Sequence, residues 1–402
     1  MPVRWPDARR LRRLAGAVVG LLAVAAGAAQ EGVRPGLDVG TVLGGEGADG
    51  FARAVAPRDF VFPADHGPHP AFRSEWWYLT AHLRDAAGRP FGVQFTLFRQ
   101  ALVPPAERAG GAAAPEPASA WRTGQVWMAH VALGAPESGH QAAQRFSRGA
   151  LGLAGVQAEP FAAWLEDWRL TTPAEVGPFP LELELAVDEA EPPFTVRLRL
   201  EAEKAPVPQG ENGLSRKSAR EGNASHYYSY TRIEASGEIV RDGRAAAVSG
   251  LAWLDREWST SALDPGQEGW DWFALHLDDG RDLMLYRIRR GDGSVDPASA
   301  GTLVGTDGSV RRLGPADWSL EPERYWADGA GGRWPVAWRL AVPAAGVEGR
   351  VRAVREDALN RLAVRYWEGM VCLEGTASGC GFLELTGYGD AGGRPARRES
   401  PD

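Results

Sequence analysis

Cysteine is scarce: two residues in 402, Cys372 and Cys380. That excludes a disulfide-built scaffold and a cysteine-rich zinc site. Excess positive charge is also missing. Lys and Arg number 44 against 52 Asp and Glu, a net charge of −8, which excludes the basic surface that nucleic acid needs. Histidine is rare, and the one close pair, His66 and His69 in DHGPH, has no third ligand beside it, so it reads as a turn before a metal site. No GxSxG elbow, Walker loop, Rossmann glycine pattern or HExxH occurs, which excludes the familiar nucleophile, nucleotide and metalloprotease chemistries. Long amphipathic helical patterns are few, and no internal repeat of fixed period is visible.

What is present begins with an address. RRLRR precedes the apolar run LAGAVVGLLAVAAGAA, and Ala26-Gly27-Ala28 fits a small-residue cleavage site. Residues 1–28 read as a secretory signal peptide, with a single membrane anchor as the alternative. The expected location is periplasmic or secreted. Residues 29–58 read as a flexible tether, residues 103–120 as a low-complexity surface loop, and 391–402 as a disordered tail. Between these breaks, short alternating or aromatic segments recur, among them QVWMAHVAL, FTVRLRLEA and GFLELTGY, separated by turns such as DDGRD and TDGS. FAAWLEDWRL holds either a short helix or an irregular strand. LDDGRDLMLYR reads as a hairpin with Asp279-Gly280 in its turn. Many short antiparallel strands imply a sandwich or barrel, with a domain boundary near 245, giving 59–245 and 246–390. Cys372 and Cys380 flank LEGTASG and form either a local disulfide or two thiols on opposite strand faces.

Sixteen Trp residues imply aromatic cores or a cavity with flat apolar walls. In FRSEWWYLT, alternation puts Glu75 in phase with Trp77 and Leu79. In GWDWFALHL, Asp271 shares a face with Phe273 and Leu275, while Trp270 and Trp272 take the other. A carboxyl among apolar residues is either paired with an arginine such as Arg73, Arg232 or Arg256, or kept protonated as an acid. Asp255 in WLDREWS shares a phase with Trp253 and has the same two readings. In SHYYSYTR, His226, Tyr228, Tyr230 and Arg232 share one face, either lining a pocket or closing a core edge. An acid near neutrality beside indole faces suits protonation of an alkene, because the ring quadrupole stabilises a carbocation.

FPADHGPHPAFRSEWWYLTAHL, MAHVALG, GLSRKSAREGNASHYYSYTR, GLAWLDREWST, GWDWFALHLDDGRDLMLYRIR, YWEGMV and GFLELTGY together resemble the AttH-like and carotenoid 1,2-hydratase-like (hydroxyneurosporene synthase) family. The resemblance implies an all-β fold of two consecutive lipocalin-like β-barrel domains and an apolar small-molecule ligand, isoprenoid or lipid-like. It implies water addition to a C=C bond without metal or organic cofactor. Asp271 is then the proton donor, with His226 or Tyr228 positioning water. Trp270, Trp272, Trp253, Glu75, Trp77, Tyr230 and Asp255 would border the ligand. The competing expectation is a non-catalytic carrier of hydrophobic ligands, or an accessory to a membrane-associated export system.

Overall fold

The computed structural model describes residues 48–108, 123–135, 139–173, 177–260 and 263–389, all within one compact unit, Leu37–Asp402. The expected signal peptide, the expected tether up to residue 47, most of the low-complexity loop and the expected tail lie outside the described residues. Of the expected tether, residues 48–58 pack on the fold: Ala54 is buried in the core and the Ala52 amide donates to Ala71 O.

The fold is all-β. The first sheet holds β1 (Ser74–Asp85), β2 (Pro90–Ala101), β3 (Gln125–Ala135), β4 (Gly139–Ser147), β5 (Ala154–Ala158), β6 (Phe161–Leu165), β7 (Trp168–Thr171), β8 (Leu181–Val187), β9 (Phe194–Ala202), β10 (Val207–Pro208), β11 (Leu214–Arg216), β12 (Ala224–Arg241) and β13 (Arg244–Ser259). Its order is β4-β3-β2-β1-β13-β12-β9-β8-β7-β6-β5, with β10 and β11 also pairing β12. The second holds β14 (Gln267–Leu277), β15 (Asp282–Arg290), β16 (Ala300–Val304), β17 (Val310–Leu313), β18 (Ser319–Ala327), β19 (Arg333–Val342), β20 (Val347–Ala353), β21 (Leu359–Arg361), β22 (Arg365–Gly375) and β23 (Gly379–Leu385). Its order is β17-β16-β15-β14-β23-β22-β20-β19-β18, with β21 on β22. Both sheets are antiparallel and barrel-like, two consecutive lipocalin-like domains. In the first, Arg145 of β4 reaches Glu189 at 2.8 Å and also Asp167, tying one edge to the far side of the sheet.

The chain leaves the first sheet after Ser259, not near 245. Residue 245 lies inside the β12–β13 hairpin, whose turn is Asp242-Gly243. FAAWLEDWRL folds as the β6–β7 hairpin, with Glu166 at positive φ in its turn. The DDGRD turn joins β14 to β15 with Gly280 at φ +89°, a conformation that favours glycine. Cys372 and Cys380 stand opposite each other on β22 and β23 and are disulfide-bonded. The loop they close spans only 8 residues of separation, so replacing both by Ala should cost about 2–3 kcal/mol. Urea unfolding of the double variant checks this.

Burial along the strands shows where the barrels meet. β8 and β9 alternate buried and partly or fully exposed residues, as strands do with one wet face. β1 and β14 are buried on both faces over most of their length, and β13 over its second half. Their inner faces join the barrel cores, Trp77 and Trp258 packing with Phe95 of β2 in the first and Phe273 and Leu275 with Trp338 of β19 in the second. Their outer faces meet between the barrels, in a cluster that includes Tyr78, Tyr227, Trp253 and Trp272. Polar links cross the same seam: Gln94 Nε2 donates to Tyr366 OH at 2.8 Å, His82 and His276 pair at 3.0 Å, and Lys204 meets Asp282 at 2.7 Å.

Candidate functional site

A cavity of about 310 Å³ lies between the barrels, walled largely by Trp76, Phe98, Met128, Trp270, Trp272 and Ile288. Leu102 and Phe146 border it and are each about half exposed, which marks an apolar mouth. Its polar side is built by register. On β13, Asp255 and Glu257 point outward from the first barrel while Leu254, Arg256 and Trp258 alternate with them. On the second barrel, Glu368 of β22 stands directly opposite Glu384 of β23, and Glu384 opposite Trp272 of β14. Two carboxyls facing across a ladder repel when both are charged.

These acids are far from ordinary. Burial pushes Glu384 up to about 7, and the negative charges of Asp255 and Glu257 act the same way, against one donated hydrogen bond from Trp270. Trp270 Nε1 donates to Glu384 Oε1 at 2.7 Å. Burial likewise pushes Asp255 up to about 7, although it accepts from Ser229 Oγ at 2.5 Å, Trp253 Nε1 at 2.6 Å and Tyr227 OH at 2.8 Å. Glu368 is raised well above the usual carboxyl range, first by burial and then by Glu384, while Tyr78 OH donates to its Oε1. Lys217 is the cation at this side. Burial alone would lower it, but Glu257, 3.0 Å away, together with Tyr286 and Asp255 raises it on balance and holds it charged.

The hydrogen bonds divide the labour between the two acids near neutrality. Asp255 is surrounded by three donors, the setting of a carboxylate that accepts. Glu384 receives one donor among the described residues, so its second oxygen is left to carry an acidic proton at the cavity wall.

The sequence-expected residues separate into two groups. Trp270, Trp272 and Asp255 line the cavity, and Trp253 backs it, edge-on to Trp272 at 6.1 Å. Glu75 borders it, but its carboxylate is bound by Arg99 and Arg256, which hold it well below the usual range against a burial effect that would raise it. The others face the barrel interiors. Trp77 packs in the first core under Arg256, 3.9 Å from its ring. Tyr228 bonds His66 Nδ1 at 2.7 Å, Tyr230 packs on Phe179, and His226 lies edge-on to Phe72. Asp271 is a correction: it is fully buried in the second barrel, bonded to Arg287 Nε at 2.7 Å and Tyr388 OH at 2.8 Å, with Arg289 at 3.3 Å. Its face was read properly, but that face looks into a barrel core with its own guanidinium partners and not into the cavity. Sequence reasoning missed Glu384, Glu368, Lys217, Tyr78 and Tyr227. Alternation in GFLELTGY reads Glu384 as solvent-facing, and only docking against the first barrel buries it.

Titration of the interior sets an acid limit. Burial is the first cause lowering His66 and His226 to about 4, His130 and His276 to about 3, and His82 and His140 in the same direction. These rings are neutral when folded, while the unfolded chain protonates them near 6.5. Their contribution is therefore complete above that pH and is lost as pH falls toward 3–4. Glu384 and Asp255, both raised to about 7, and Glu368, raised well above the usual carboxyl range, act oppositely: the native state keeps their protons to higher pH than the unfolded state does, so they cost stability as pH rises. The histidines are more numerous, so melting temperature should fall on acidification from pH 6.5. Circular dichroism melts check this, and changing His82 and His276 together to Gln should flatten the decline.

Comparison with known proteins agrees with this architecture. A candidate AttH from Nitrosomonas europaea is 33% identical, covering 84% of this chain and all of that one, with a TM-score of 0.72. Kievitone hydratase from Nectria haematococca shares the fold at 13% identity and a TM-score of 0.59, covering 84% of this chain and 96% of its own. A search of curated proteins finds no match. Residues 53–388 match the AttH-like family, and the chain belongs to it.

Proposed function

We propose that this protein is a hydratase that adds water across a C=C bond of an apolar small molecule held between its barrels. One observation carries the reading: an aromatic cavity contains two carboxyls, Glu384 and Asp255, poised near pH 7 with unequal hydrogen bonding. Glu384 gives its proton to one alkene carbon, and the cation forms at the other. The faces of Trp76, Trp270 and Trp272 stabilise that cation by roughly 0.5–2 kcal/mol each. Water bonds to the cationic carbon and releases a proton toward Asp255, through Tyr227 or directly. Transfer of that proton back to Glu384 through solvent restores the site, and the sum is substrate plus one water. Electrons are conserved throughout. The Lys217–Glu257 pair orients the attacking water.

The fold shared with kievitone hydratase supports this class of reaction. The cavity volume lies at the small end of the roughly 300–1,000 Å³ range of ligand sites, favouring a compact isoprenoid unit over a long polyene held whole. The N-terminal signal pattern and the Cys372–Cys380 disulfide both support a periplasmic or secreted setting. The test is incubation with small isoprenoid alkenes in ¹⁸O-labelled water, read by mass spectrometry. A gain of one labelled water supports the reading. Stable binding without mass gain assigns the protein to the carrier class instead.

A further inference from the structure

The cavity has a second polar end that the proton-transfer residues do not use. His130 of β3 borders it, is 1% exposed, and has no partner for Nε2 among the described residues. Its ring is fixed: Tyr366 stacks on one side at 5.6 Å and Phe98 meets it edge-on at 5.4 Å.

A chain of hydrogen bonds ends at its Nδ1. His140 Nε2 donates to Asn360 Oδ1 at 2.8 Å. Asn360 Nδ2 donates to Gln94 Oε1 at 3.1 Å, and Gln94 Nε2 donates to Tyr366 OH at 2.8 Å. Tyr366 OH also lies 2.9 Å from His130 Nδ1, and donation of its own proton to that nitrogen continues the chain in one direction. His130 then carries its proton on Nε2. Each of its four links crosses the seam between the barrels, so only the docked pair of domains assembles it.

We infer that His130 Nε2–H is a neutral donor that anchors an uncharged oxygen acceptor of the ligand, of the carbonyl or ether class, within the apolar cavity. A buried donor without a partner is costly, and a ligand oxygen removes that cost. The ring's depressed basicity, to about 3 by burial, keeps it neutral, so it does not select for an anion. The ligand thus has an apolar body with one neutral oxygen, which fixes the end of the molecule presented to Glu384. This last step alone rests on the hydration reading.

The experiment uses two shape-matched probes, benzophenone and diphenylmethane, one with an acceptor oxygen and one without. Affinities are read by tryptophan fluorescence and calorimetry on the wild-type protein, and the His130 tautomer by ¹⁵N NMR. The expected results are an Nε2–H tautomer and a ketone preference of roughly three- to tenfold, the worth of one net hydrogen bond. His130→Phe should remove the preference while keeping hydrocarbon affinity, and His130→Gln, which regains a donor, should restore part of it. An Nδ1–H tautomer, equal affinities in wild type, survival of the preference in His130→Phe, or failure to take up either probe overturns the inference. The wild-type measurements stand even if a variant does not fold. Glu384→Gln should keep the ketone preference, so loss of turnover there is separable from loss of anchoring.

Discussion

Glu384→Gln should lose about 10²–10⁴-fold in hydration rate, the usual worth of a positioned general acid, and keep its ligand affinity. The amide preserves the side chain's shape and still accepts from Trp270 Nε1, so the wall of the cavity is unchanged. What disappears is the proton that the second Glu384 oxygen, which accepts no donor among the described residues, presents to the cavity. Stability should not fall. Above pH 7 it should rise, because the variant has no charge to bury where the wild type is ionised. Single-turnover kinetics separate the two effects: an unchanged rate with bound substrate would remove Glu384 from the chemistry.

Asp271→Asn should behave in the opposite manner. Arg287 and Arg289 keep their charges inside the second barrel after their carboxylate partner is gone. Breaking a buried pair from one side costs about 3–5 kcal/mol, a large share of the stability of most domains. Urea denaturation should show that loss, while turnover per folded molecule stays near wild type, because Asp271 does not line the cavity. A stable variant with abolished turnover would return the proton-donor role to Asp271.

The two substitutions also show what the sequence carried and what it hid. Strand periodicity and turn chemistry were sufficient for the all-β class, the β14–β15 hairpin and the alternating faces of FRSEWWYLT and GWDWFALHL. The aromatic wall was legible as well, since Trp270, Trp272 and Asp255 do line the cavity. The misplacement of Asp271, His226 and Tyr228 has a single physical cause. A period of two gives the two faces of a strand but not which face a ligand occupies. With one barrel in mind, the apolar face containing an acid looks like a ligand hollow. In this molecule that face is a solid core, and the nominally wet face is covered by the other barrel. Tyr227 rather than Tyr228, and Glu384 rather than Asp271, follow from that inversion. Glu384 and Glu368 carried no local signal, because desolvation by a distant domain leaves no trace in a seven-residue window. Cys372 and Cys380 were legible as a pair, but the strand register was needed to place them opposite each other.

Infrared titration of the folded protein with ¹³C-labelled glutamate tests the central claim most directly. The account predicts a buried Glu carboxyl that loses its proton near pH 7 in the wild type, a transition absent from Glu384→Gln and perturbed by an apolar ligand in the cavity. If every glutamate has ionised by pH 5, the cavity holds no acid at neutrality and the hydration mechanism is contradicted.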